Sequence, residues 1–156
     1  MKDDHPLTSI LSFTASTTAA TTAAIAASGA IELHNAAAPL NAISHIVWGD
    51  TAARQNGTSA RYTVLGTALN AAAMASWAVL HQAIFRPDRR RPGFAPALAR
   101  GAATAVAAYV VDYYVVPRRL TPGFEKRLSG RSVFAVYAAL AAGFALGEQM
   151  TRRRRY

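Results

Sequence analysis

Residues 7–31 read LTSILSFTASTTAATTAAIAASGAI, 25 consecutive positions without a charge. A helix needs ~20 mostly apolar residues to cross ~30 Å of hydrocarbon, so this run is long enough to span. It is poor in Leu and rich in Thr, and a cleaved signal peptide is the competing reading. A signal starts with a basic stretch and has a compact apolar core of ~7–15 residues. Here the start is MKDDHP, with one Lys against two Asp, and the uncharged run is far longer. The run therefore reads as a retained span, with Pro6 placed to open a helix where its missing N–H costs nothing.

Three further segments meet the same criterion. Residues 62–85 are interrupted only by His81, residues 97–116 contain Arg100 and Asp112, and residues 131–150 are uncharged from Ser132 to Gly147. Between the first two spans, residues 36–48 (AAAPLNAISHIVW) are apolar but only 13 long. That length fits a re-entrant or interfacial half-helix over about residues 39–49 better than a fifth span. The expected fold is an all-α integral membrane protein of one domain, residues 1–156. It is a bundle of four transmembrane helices (about 7–32, 62–85, 97–116 and 131–150) with that half-helix between the first and second.

The basic residues agree with this reading. The net charge of +9 does not read as a nucleic-acid surface, because the cations bracket the apolar segments. Arg89, Arg90 and Arg91 follow the second span, Arg118 and Arg119 the third, and Arg152 and Arg153 the fourth. Anionic lipid headgroups favour such blocks by ~1 kcal/mol per residue. With four spans both termini share a side. That side carries ten Lys/Arg (Lys2, Arg86, Arg89–Arg91, Arg100, Arg152–Arg155) against seven on the other. The positive-inside rule then places the termini in the cytoplasm of a cell membrane. Fifteen of the 17 basic residues are Arg, a habit associated with GC-rich bacterial genomes, which points to a bacterial inner membrane. In residues 118–130, Thr121 and Pro122 would start a short interfacial helix with Leu120, Phe124 and Leu128 toward lipid.

Helical periodicity shows where each span is polar. In the first, Thr14, Thr17 or Thr18, Thr21, Ser28 and Glu32 form a stripe. In the second, Asn70, Met74, Trp77 and His81 recur on one face. In the third, Ala105, Ala108, Tyr109, Asp112 and Tyr113 share a side. In the last, Ala139, Gly143 and Gly147 form a small-residue series that lets helix backbones approach. Packing within the chain is the first reading of that series, and contact between copies or with a partner membrane protein is the second.

Depth sorts the ionisable groups. At ~1.5 Å per residue, a helix entering near residue 9 reaches Glu32 after ~34 Å, at the far interface. His34, His45 and Asp50 follow on that side, and Asp112 lies about one and a half turns inside it. His81 and Glu148 fall near the opposite face, His81 at headgroup level. A carboxylate inside a span costs ~2.5–3.5 kcal/mol on insertion scales, so Asp112 should be paired or functional. Arg118, Arg119 or a histidine of the half-helix are the expected partners. If residues 40–49 are helical, Asn41, His45 and Trp48 project from one face, and His45 could point at Glu32 and Asp112.

The expected function is binding or transport of an ion or small solute by an extracytoplasmic cluster of Glu32, His34, His45, Asp50, Asn70 and Asp112, in a protein that self-associates. Two further readings stand beside it. One is a metal-dependent membrane enzyme holding a divalent metal ion with Glu32, His45 and Asp112. The other is an accessory subunit that docks partners through Gly143 and Gly147. With no cysteine there is no disulfide, thiolate site or thiol nucleophile. No phosphate-binding loop, dinucleotide fingerprint, nucleophile elbow or His-Glu metal pair at helical spacing occurs.

Overall fold

The computed structural model describes residues 6–85 and 93–153, all of its regular structure helical. Six α-helices appear in the described residues: α1 (Pro6–Leu33), α2 (Ala37–Ile43), α3 (His45–Trp48), α4 (Leu65–Ile84), α5 (Phe94–Val110) and α6 (Gly130–Arg153). Single π-helical turns extend α4 backward over Ala60–Val64 and α5 forward over Val111–Val115. Four helical segments are long and apolar enough to cross a membrane: Leu7–Leu33, Ala60–Ile84, Phe94–Val115 and Gly130–Thr151. Their bounds lie within three residues of those expected from the sequence. Leu11, Ile84, Val106 and Phe134 point outward and exposed, as lipid-facing side chains would.

The long helices follow one another around the bundle in the order α4, α1, α6, α5, and α4 barely touches α5. Small residues make the close approaches. A Cβ on Gly143 would lie 2.8 Å from the Thr17 Cα, and one on Gly147 2.8 Å from the Phe13 ring. The series expected from the sequence thus packs α6 onto α1. That leaves Gly143 and Gly147 covered by α1 within the chain. Gly101 meets the Ala141 carbonyl in the same way and seats α5 on α6. The buried Thr17 and Thr21 hydroxyls of α1 turn back onto their own helix. Thr17 donates to the Phe13 carbonyl at 2.6 Å and Thr21 to the Thr17 carbonyl at 2.8 Å. They are thereby satisfied without leaving the apolar interior.

Opposite the chain termini, residues 34–59 and 117–129 form a cap. α1 stops at His34, whose φ of +51° is left-handed. The next N–H, of Asn35, bonds back to the Gly29 carbonyl at 3.1 Å. The Asn35 Oδ1 then accepts the N–H groups of Ala37 and Ala38, both at 3.0 Å, and so starts α2. The expected continuous half-helix is instead two short helices broken at Ser44, whose hydroxyl donates to the Asn41 carbonyl at 2.7 Å. Asn41 is fully buried. Its Nδ2 donates to the carbonyls of Gln55 and Gly57, and its Oδ1 accepts from the Thr63 hydroxyl.

The second cap segment, residues 117–129, differs from its sequence reading in three ways. No helix begins at Pro122; two 3-10 turns, Arg118–Leu120 and Phe124–Lys126, flank Gly123. Gly123 has φ +95°, and a Cβ there would lie 2.5 Å from the Ala42 carbonyl and the His45 ring. The resulting turn sends Phe124 and Leu128 into the core and away from lipid, while Leu120 stays exposed. Arg119, expected at lipid headgroups, bonds within the chain. Its Nε donates to the Ile46 carbonyl at 2.9 Å and its guanidinium to Val47 at 3.1 Å. Arg127 likewise binds the Ala53 carbonyl and Asn56. Arg118 remains exposed. Arg89, Arg90 and Arg91 lie outside the described residues, as do the side chains of Arg152 and Arg153.

Candidate functional site

Because α4 and α5 do not close on each other, a cavity of about 80 Å³ remains between them beneath the cap. Its walls are mostly apolar, with Met74, Trp77, Phe124 and Val136 among them. Four polar side chains reach it: Thr21, Asn70, Asp112 and Tyr137. One water needs ~10–15 Å³, so the space suits several waters or one small ion with part of its hydration.

Each polar group is positioned by its own helix. Asp112 lies in the π turn that ends α5, where the Val116 N–H bonds to the Val111 carbonyl at 3.0 Å. The extra residue in such a turn shifts side chains around the axis, and π turns recur at functional sites. Pro117 then stops the helix by holding Val116 extended, at ψ 149°. The Tyr137 hydroxyl of α6 donates to the Asp112 Oδ2 at 2.6 Å, a charge-assisted bond when the carboxyl is ionised. Asp112 has no further hydrogen bond and no cationic partner among the described residues. Arg118, Arg119 and His45, the partners expected from the sequence, do not bond to it. Across the cavity, the Asn70 Nδ2 donates to the hydroxyls of Thr21 at 3.0 Å and Thr22 at 3.2 Å.

The other residues of the expected cluster are dispersed. Glu32 sits at the start of α6 and accepts the Ser129 N–H (2.9 Å) and the hydroxyls of Ser129 (2.6 Å) and Ser132 (2.5 Å). This caps the helix and places a negative charge at its positive end. His34 is the exposed left-handed residue that ends α1. His45 is 2% exposed, bonds the Ala42 carbonyl of its own turn through Nδ1 at 3.0 Å, and packs over Gly123. Asp50 pairs with Lys126 at 2.5 Å on the surface of the cap, and the ammonium holds its carboxyl below the usual range. Only Asn70 and Asp112 share the cavity. No three His, Asp or Glu side chains among the described residues converge as a metal would need. Glu32, His45 and Asp112 make three separate sets of contacts, so the expected metal set does not assemble.

At the opposite end of the bundle His81 is 1% exposed, enclosed between the helices. Its Nδ1 lies 2.7 Å from the Thr104 hydroxyl, and its ring stacks on Phe144 at 4.2 Å. Nearby, one Arg100 nitrogen bonds both Glu148 oxygens, at 2.7 and 2.9 Å. Here a polar face meets a neighbouring helix that supplies the matching hydroxyl.

The decisive residue absent from the sequence reading is Tyr137. A depth comparison would have found it. It lies seven residues into α6, ~10 Å below the cap end, close to the depth assigned to Asp112. It also belongs to the buried stripe Val133, Val136, Tyr137, Leu140 and Phe144. A buried tyrosine hydroxyl requires an acceptor, and Asp112 is the carboxylate at that level.

No protein-family model, curated protein or solved structure matches this chain.

Proposed function

We propose that this chain is a four-helix protein of a cell membrane, both termini cytoplasmic, that binds a small monovalent cation of the ammonium class in the α4–α5 cavity and carries it across the bilayer. The observation that carries the reading is Asp112: a carboxylate at the wall of an apolar cavity, held by one hydroxyl and matched by no cation among the described residues. Such intramembrane carboxylates mark ion and proton pathways. Trp77, Phe124 and Tyr137 add aromatic walls, and ring faces attract alkylammonium ions, by ~2 kcal/mol or more where water is excluded. Asn70 supplies an amide opposite the charge. The cap closes the cavity on one side, while the gap between α4 and α5 offers a lateral opening. Four helices leave room for a site and not for a continuous pore. Transport therefore calls for a conformational change or an assembly of copies.

The test is binding of methylammonium and tetramethylammonium to the purified protein in nanodiscs, by calorimetry, for wild type and Asp112→Asn. Wild type should bind one cation per chain, and affinity should fall as the pH is lowered and the carboxyl takes up a proton. Asp112→Asn should fold, as judged by circular dichroism and expression level, and lose binding at every pH. Equal binding by both proteins, or none by wild type, refutes the assignment.

A further inference from the structure

Tyr137 also lines a second concavity, outside the α4–α5 cavity and independent of the function proposed for it. A groove of about 1010 Å³ runs along the outward side of the bundle between α5 and α6. Its α5 wall extends from Leu98 to Tyr113, sixteen residues and a rise of ~22 Å, longer than the ~15 Å of one hydrocarbon leaflet. The lips are apolar and open outward: Val106 is 65% and Phe134 76% exposed. Polarity is confined to the cap end, where Glu125 and the rings of Tyr109, Tyr113 and Tyr137 lie.

Glu125 is the informative group. Its Oε2 is enclosed without a hydrogen-bond partner, and the side chain makes no hydrogen bond or ion pair among the described residues. The cations beside it in sequence are committed elsewhere: Lys126 to Asp50, and Arg127 to the Ala53 carbonyl and Asn56. In a chain of net charge +9, one unneutralised carboxylate at the head of a chain-length apolar groove selects a cation joined to a hydrocarbon tail. The tyrosines complete the head site. Tyr109 packs against Tyr113 at 4.9 Å and Tyr137 at 5.3 Å, a wall of ring faces and edges beside Glu125.

We propose that the α5–α6 groove is a binding site for an ammonium-headed membrane lipid of the phosphatidylethanolamine class, its ammonium at Glu125 and one acyl chain along the groove. The lipid enters from the bilayer, since the groove opens on the side where hydrocarbon lies.

The test uses native mass spectrometry of the full chain released from nanodiscs. These contain phosphatidylethanolamine, its N-acetylated derivative lacking the positive charge, and phosphatidylglycerol, all with identical chains. A hydrogen bond between charged groups predicts about a tenfold preference for the ammonium lipid over its N-acetylated derivative. Glu125→Gln should bring that ratio to about one. Ala138→Trp, at an exposed α6 position lining the groove, should reduce retention of all three lipids. It serves also if Glu125→Gln is poorly folded. A preference that survives Glu125→Gln overturns the proposal. So does strongest retention of phosphatidylglycerol, which would assign lipid binding to the basic cap, or a lipid-free dimer that Ala138→Trp dissociates.

Discussion

Replacing Gly143 by Leu tests the central contact of the bundle. A Cβ at this position would lie 2.8 Å from the Thr17 Cα and 3.2 Å from the Ser16 carbonyl. The first distance is 0.6 Å short of the 3.4 Å at which ordinary contact begins, and a backbone atom cannot rotate away. Leu adds further carbons beyond that Cβ. Overpacking of this kind costs ~1–3 kcal/mol, and the upper end applies where backbone opposes backbone. Helix propensity returns ~0.8 kcal/mol when Gly is replaced. The net loss is about 2 kcal/mol, equivalent to a Tm lower by about 4–8 °C for a chain of this size. Gly130→Leu is the control, since a Cβ there meets nothing within 4 Å; its change should stay within ~0.5 kcal/mol. The assay is thermal unfolding in detergent followed by circular dichroism, with particle mass measured in parallel. A Gly143→Leu protein that melts like wild type but changes oligomeric mass would refute the α1–α6 assignment and place this face between copies.

Three further outcomes are expected. Tyr137→Phe removes the hydrogen bond to the Asp112 carboxylate and should destabilise by ~1.5–3 kcal/mol. Because the two groups share one interaction, the double variant Tyr137→Phe/Asp112→Asn should cost clearly less than the two singles added, in a double-mutant cycle by denaturant titration. Asn41→Ala strands the Gln55 and Gly57 carbonyls, at ~1–3 kcal/mol for each group left dry. It should open residues 49–59 to hydrogen exchange while α1 and α6 keep their protection. Asp50 has its carboxyl pKa depressed by Lys126. Its contribution is therefore present above the unfolded value of ~3.9 and is lost as pH falls through the lower folded value. The Asp50 carboxyl signal in NMR should titrate below the ordinary carboxylate range in wild type and return to it in Lys126→Ala.

The sequence made the four spans legible because 20-residue apolar length is a one-dimensional property. It also gave the buried faces of α4 and α6, since Asn70, Met74 and His81, or Gly143 and Gly147, repeat at helical spacing. The cap was not legible. Phe124 and Leu128 look amphipathic in sequence, yet the left-handed turn at Gly123 sends them inward. Glu32 and Asp50 read as members of a binding cluster, yet a helix N-terminus and a lysine from the other half of the chain claim them. Those partners lie far away in sequence; Glu32 and Ser129 are separated by 97 positions. Periodicity cannot register such pairings. Asp112 stood out because a charge inside a span is costly wherever it falls, but its donor had to come from another helix.

The cap is closed by cross-links between residues 32–56 and 119–132: Glu32 with Ser129, Ile46 and Val47 with Arg119, Asp50 with Lys126, and Ala53 and Asn56 with Arg127. During synthesis the first of these segments precedes the second by roughly 80 residues, or about 4–16 s at 5–20 residues per second. Over that interval α1 and α4 can pair through Asn70, while Asn41 gathers its own loop around it. Glu32, the Ile46 and Val47 carbonyls and Asp50 gain these partners only once residues 119–132 have been made. Ser129 and Ser132 then arrive at the same end of the bundle to start α6. Completion of α6 therefore seals the cavity from above in the step that fixes the last helix, and a chain truncated before residue 117 would leave the Asp112 level open to water.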